Sequence, residues 1–399
     1  MLGGLLGLGG NKRPAASSST AAASSSAPVL VLKKRKIVHT PSADKPSLLW
    51  VDKYRPLYLD EMDLHSDFTK IMLDAARAKE LPHLLLYGPN GAGKMTRVYA
   101  LLRQIFGHAV DETTTKMQTV GETSSTKFEI CTKSSLYHLE INLSDVGFRD
   151  VKVVKSLLKE FTGTRPLNRA AFKVVVLKGA DKLTNECQTA LRRLIEVRSE
   201  TNRFIFVSKS IGAMILPIQS RCFPFRLSLP SDAEIKRVLS DVLQQERMPN
   251  LIPQTNFDGI IQATGNDLRR ALLKLETMVT GGNMQQVPGE PWENICGQIA
   301  QSILQGPHNP RTLLDIRSKF YTLLAATVDS GTIMTTVCDQ LAQRSPYIIS
   351  AIWNVASIYD VMLKKCGKEI FALEAFAARL MAIIGKMVAE QQQQMQQRR

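Results

Sequence analysis

Gly88-Pro89-Asn90-Gly91-Ala92-Gly93-Lys94-Met95-Thr96 carries the strongest chemical signal in the sequence. The apolar run Leu84-Leu85-Leu86-Tyr87 leads into it and a helical pattern follows. Strand, GxxxxGK loop and helix stand in the order that a phosphate-binding loop requires. Glycines let backbone N–H groups wrap phosphate oxygens, the helix N-terminus adds a favourable dipole, and Lys94 reaches the β- and γ-phosphates. A Gly-rich turn before a helix would not by itself supply the lysine and the strand as well.

The hydrolytic half of such a site is missing. After Lys94 a Ser or Thr hydroxyl ordinarily ligates Mg2+, but Met95 stands there, and a thioether is a poor ligand for a hard cation. Thr96 comes one residue too late. Downstream, the run Val174 to Leu177 should end in a metal-coordinating Asp followed by a water-polarising Glu, yet the sequence reads Lys178-Gly179-Ala180-Asp181. Asp181 fits the last acid of that box; both working carboxylates are gone. Three losses from one function predict nucleotide binding without useful turnover, and count against Mg2+ at this site. Two placements of Lys178 are open: its ammonium takes the metal's position, or it points to solvent from the strand end. His83 adjoins the loop strand but has no catalytic grouping, so it reads as a core or strand-end residue.

These groups need a sheet to hold them. Leu84 to Tyr87, Tyr137 to Asn142, Lys173 to Leu177, Arg203 to Val207 and Cys222 to Leu227 are strand candidates, with helical patterns between most of them. That alternation predicts a parallel α/β domain over residues 48–229. Asp232 to Gln245 and Asp267 to Met278 read as amphipathic helices of a small module, 230–280. A linker, 281–291, has three Gly and two Pro; 292–390 is helical in pattern, and 391–399 is a Gln-rich tail.

Residues 1–47 are rich in Gly, Ala and Ser and lack apolar periodicity, which predicts a disordered tail. It carries a net +6 of the chain's +15, leaving the remainder moderately basic. Such a balance favours a polyanionic partner. Lys33-Lys34-Arg35-Lys36 is of the nuclear-import kind, whereas a mitochondrial leader would need more arginines. The six cysteines are scattered singly and read as reduced intracellular thiols, so structural zinc and disulfides are not expected. No run of eighteen apolar residues marks a membrane span.

Around the damaged motifs the chain resembles a small subunit of replication factor C, the clamp loader of the AAA+ ATPases. Trp50-Val51-Asp52-Lys53-Tyr54-Arg55-Pro56 resembles the opening signature of those subunits, and Asn185 to Glu196 resembles the helix after the acidic box. Ser220-Arg221-Cys222 matches the SRC motif, and Gly265-Asn266-Asp267-Leu268-Arg269-Arg270-Ala271-Leu272 resembles the lid segment with its sensor arginine. Together they span 48 to about 275, in order. The resemblance implies an AAA+ P-loop domain, a helical lid and an all-α collar. It implies ATP or ADP bound with Tyr54, Arg55 and Pro56 against the base, Arg269 as sensor and Arg221 as an arginine finger given to a neighbour. The family's sensor asparagine falls on Lys209, a further departure. The closest type is the small subunit with degenerate ATPase motifs. Partners implied are the other subunits of a heteropentamer, the sliding clamp (PCNA) and primer-template DNA, in the nucleus.

Arg149, Lys152, Lys155 and Lys159 recur at helical spacing opposite Val151, Val154, Leu158 and Phe161. Periodicity alone fits a solvated face; the resemblance turns it into a surface tracking duplex phosphates. Two other readings remain: a stand-alone DNA-dependent ATPase, and a non-catalytic scaffold of a checkpoint-type ring.

Overall fold

The computed structural model describes residues 48–397, except 63, 79, 121–127, 146–149, 165–170, 249–253, 283–286, 288 and 306–308. The expected tail with its basic tetrad, and Arg149, lie outside the described residues.

Seven strands form one sheet: β1 (Leu84–Tyr87), β2 (Thr114–Val120), β3 (Phe128–Ser134), β4 (His138–Asn142), β5 (Lys173–Lys178), β6 (Asn202–Ser208) and β7 (Phe223–Arg226). Their order is β2-β3-β4-β5-β6-β1-β7. The five expected strands are all present, and β4, β5, β6, β1 and β7 run parallel. What the apolar pattern did not foretell is the hairpin of β2 and β3, which adds an antiparallel edge. The central strands are buried on both sides because their side chains alternate between two cores. Leu85, Val175, Leu177, Phe204 and Phe206 face one core, whereas Leu84, Leu86, Val174, Val176 and Ile205 face the other.

Helices cover both faces. The short α1 (Trp50–Lys53) precedes α2 (Ser66–Ala78) and α3 (Lys94–Phe106), the last two packing on the second core. On the first lie α4 (Asp150–Val153), a π-helical segment (Val154–Leu158), α5 (Lys159–Gly163) and α6 (Asn185–Arg198). The buried stripe is Val153, Val154, Leu157, Leu158 and Thr162, with Val151 and Phe161 only partly covered; the π segment rotates the side chains that follow it, so Thr162 turns inward in place of Phe161. Lys152 and Lys159 remain exposed.

The short α7 (Leu216–Gln219) leads to β7, and beyond it α8 (Asp232–Gln245), α9 (Gln254–Thr264) and α10 (Leu268–Thr280) pack around Ile235, Leu239, Ile260 and Leu275. Helix α8 begins where its capping box places it: Ser231 accepts from the Glu234 backbone and Glu234 reaches back to Ser231. Trp50, Val51 and Tyr54 of the α1 segment pack on this helical module. The last layer is wholly helical: α11 (Pro291–Gln305), α12 (Pro310–Ala325), α13 (Ser330–Arg344), α14 (Ile349–Lys365) and α15 (Glu369–Gln397), around Ile299, Phe320, Val337 and Phe376. By composition Pro346–Leu363 is long and apolar enough to cross a bilayer, and 28% of it is buried.

Candidate nucleotide site

The phosphate loop spans the gap between β1 and α3. Leu227 N–H donates to Tyr87 O, and Gly88 N–H to Ser208 O, so the loop leaves the sheet level with the ends of β7 and β6. Gly91 adopts φ 78°, and a Cβ there would lie 2.1 Å from Asp267 Oδ1, so no other residue fits without moving the lid carboxylate. Gly93 caps α3 with a left-handed conformation. Ala92 is buried and its carbonyl accepts from Arg97 Nη1 at 3.3 Å, while Arg97 Nη2 donates to Leu64 O at 2.7 Å. That buried guanidinium braces the loop from beneath, and burial lowers its pKa to about 10. Pro89 and Asn90 are exposed at the tip.

Lys94 Nζ donates to Gly88 O at 2.6 Å and Pro89 O at 2.7 Å, which folds the ammonium into the loop it serves. Burial lowers its pKa; Asp181 and Asp267 oppose the shift, while Lys209 and Arg269 add to it. Box, sensor position and lid therefore all bear on one ammonium. Asp181 is held in place, accepting from Lys209 N–H at 3.1 Å. Arg269 is exposed in the first turn of α10, whose N-cap Asp267 accepts from the backbone of Arg269 and Arg270. Arg270 instead reaches Glu290 and Glu293, both at 2.7 Å, tying the lid to the last helical layer.

The donors around Lys94 do not suit a hard divalent cation. Met95 turns toward the apolar core beneath the sheet. Thr96 Oγ1 accepts from Arg55 Nε at 3.3 Å. Neither expected placement of Lys178 holds: its ammonium pairs with Glu140 of β4 and also donates to Tyr99 OH at 3.3 Å. Tyr99 OH donates to Glu140 at 2.6 Å, and burial followed by that carboxylate raises the phenol's pKa. Gly179 has φ 66°, and a Cβ there would stand 2.7 Å from Ser144 Oγ. Among the described residues, no three His, Cys, Asp or Glu side chains converge as a metal site.

Of the opening signature, Arg55 alone reaches the loop helix, its guanidinium lying 5.2 Å from the Tyr99 ring centroid. Tyr54 packs on the lid core with its hydroxyl on Glu246, and Pro56 follows in the irregular stretch before Leu59. His83 is structural: Phe204 N–H donates to its Nδ1 at 3.1 Å, and burial, then Arg203, pushes its pKa down to about 4.

Arg221 sits at the other end of the sheet. Phe223 pairs with Leu84 at the start of β1, and four residues later Leu227 is level with the loop. Four strand residues at ~3.3 Å each put about 13 Å between those levels. The exposed guanidinium donates to Pro217 O at 2.7 Å and pairs with Glu196 of α6 at 2.6 Å. Cys222 beside it is buried, which pushes its thiol up to about 12. Sequence reasoning missed Arg97, Glu140, Glu196 and the reach of Asp267, since each acts through a partner brought near only by the fold.

Two family models match the chain. Residues 292–388 match the C-terminal domain of replication factor C subunit 3, and residues 65–231 match the DNA polymerase III delta subunit. Replication factor C subunit 5 of Neurospora crassa is 36% identical over 84% of this chain and 97% of its own length. Replication factor C subunit 3 of Bos taurus is 35% identical over 86% of this chain and 98% of its own. A Thermotoga maritima RuvB structure aligns at 15% identity over 73% of this chain and 91% of its own, with a TM-score of 0.44. Identity of 35–36% over most of both chains, with residues 292–388 matching the family's C-terminal domain, places the chain in the replication factor C subunit 3/5 family.

Proposed function

We propose that this chain is a small subunit of a nuclear, heteropentameric clamp loader that opens the sliding clamp (PCNA) and loads it onto primer-template DNA. Its own site holds ATP or ADP without hydrolysing it, and Arg221 completes the site of a neighbouring subunit. The observation that carries this reading is the separation of the two halves of the chemistry. The phosphate loop keeps its cradle and lysine but lacks ligands for a metal and a group to orient water. The arginine is exposed about 13 Å of strand away, on the opposite sheet end, which supports a role toward another chain's phosphates rather than its own.

Other surfaces support the assembly. Helix α14 leaves Trp353, Ile358, Val361 and Met362 exposed between 41% and 54%, an apolar face suited to packing against a neighbour's last helical layer. Lys152 and Lys159 stand outward on the helix expected to track phosphates, and Lys155 lies between them in the sequence. Such contacts position a duplex without reading bases. Native mass spectrometry of the complex captured through this chain tests the proposal. One copy among four different subunits, with nucleotide retained, is expected; a homo-oligomer or a free monomer that hydrolyses ATP would overturn it.

A further inference from the structure

A site that binds nucleotide must offset a polyanionic phosphate tail, and a divalent cation ordinarily does much of this. Here the residues that would hold one are committed elsewhere. Met95 packs against the core, Thr96 Oγ1 accepts from Arg55, and Lys178 is spent on Glu140. Gly179 holds a left-handed φ of 66°, where any side chain is strained and would have to displace Ser144 Oγ. Asp181 already holds the Lys209 backbone.

Positive side chains have gathered in the same place. Lys209 directly follows Ser208, whose carbonyl accepts from Gly88 N–H at 3.3 Å, so it leaves the sheet level with the first residue of the phosphate loop. Arg269, the second residue of α10, donates its backbone N–H at 2.9 Å to the Asp267 carboxylate that lies against Gly91. Both are near enough to Lys94 to disfavour its charge, the direction expected of cations sharing a small volume. Lys94, Lys209 and Arg269 outnumber Asp181 and Asp267, so an anion brought among them relieves repulsion.

We propose that this site takes its nucleoside di- or triphosphate without a divalent cation, with Lys209 and Arg269 supplying the neutralisation that Mg2+ gives elsewhere. The inference rests on the reading of the loop as a nucleotide site. It deepens that reading: the chain has exchanged metal ligands for fixed ammonium and guanidinium groups, so bound nucleotide has no metal to activate it for hydrolysis. Lys178 takes no part, because Glu140 and Tyr99 hold it.

The test is titration of the full-length chain with fluorescent ADP in excess Mg2+ and again in excess EDTA. EDTA is expected to leave Kd within about threefold or to tighten it. Lys209→Asn removes a charge-assisted hydrogen bond to phosphate and should weaken binding in EDTA about tenfold, whereas Lys209→Arg should keep most of it. Weakening by EDTA beyond threefold, or Lys209→Asn binding like the parent, overturns the inference while leaving nucleotide binding intact. No binding in either buffer, or binding indifferent to Lys94→Ala, defeats the underlying reading instead.

Discussion

Writing the missing carboxylates back into the end of β5 should cost stability and return no hydrolysis. In Lys178→Asp/Gly179→Glu, the first change removes the ammonium that Glu140 holds and sets a second carboxylate beside it. Losing one partner of a buried pair costs about 3–5 kcal/mol. The Glu140 side chain is 8% exposed but that of Lys178 is 29% exposed, so solvent screening reduces the figure to about 2–3 kcal/mol. The second change forces a side chain into φ 66°, at about 1–2 kcal/mol, and drives its Cβ toward Ser144 Oγ. Together these reach about 3–5 kcal/mol, a large part of the roughly 5–15 kcal/mol that holds a domain together. Calorimetry should show the sheet domain melting roughly 10 °C lower, with ATP turnover still at background. A variant that melts with the parent and hydrolyses ATP in a Lys94-dependent manner would refute this account of the strand end.

Met95→Thr alone should leave steady-state hydrolysis at background, because groups acting as a unit are not rescued singly; robust turnover would locate the whole defect in that side chain. Lys152→Ala, in the assembled complex, should weaken primer-template binding evenly across sequences and lower the log–log salt slope by about 0.9 for the single phosphate it neutralises. An unchanged slope would return this helix face to ordinary solvation. Acid should destabilise the sheet domain through His83 and His138, both pushed down to about 4, chiefly by burial. Their folded pKa lies below the unfolded value of about 6.5, so the unfolded chain binds protons that the folded one refuses. Stability is full above that value and is lost as pH falls toward 4, by up to about 1.4 kcal/mol per unit per histidine. Urea midpoints should trace this decline, and His83→Gln should make it shallower.

The central strands were legible because burial on both faces leaves continuous apolar runs, and α8 because Ser231 and Glu234 mark its start. Strand β2 was not: it is an edge strand whose residues are mostly solvent-facing, with Met117 63% exposed, so neither a run nor an alternation betrays it. Beyond Leu158 the buried stripe of the 150–163 helix drifted because a π segment breaks the 3.6-residue period on which the expectation stood. At the site, the loop and the missing ligands could be read residue by residue, since phosphate binding is encoded by local spacing. The use of Lys178 could not, for Glu140 lies 38 positions away in sequence and beside it only across the β4–β5 pairing. Asp267 against Gly91 is likewise a product of the lid's packing.

If Arg221 serves a neighbour as proposed, that service and the chain's own site are separable, and this residue is where they part. Its guanidinium is exposed, held by Glu196 and Pro217, and remote from the phosphate loop of the same chain. An arginine finger supplied in trans contributes on the order of 10³–10⁵ in rate at the site it completes. In a loader with several ATP sites, its loss therefore shows as a partial loss. The most direct measurement is the DNA- and clamp-stimulated ATPase of the assembled complex carrying Arg221→Ala, beside Arg221→Lys. The account predicts normal assembly and unchanged nucleotide content in this chain, with lowered turnover and clamp loading that lysine rescues poorly, since it lacks the planar fork of donors. Failed assembly with Arg221→Ala, and full recovery of assembly and turnover with Arg221→Lys, would make the residue an interface charge and contradict the claim.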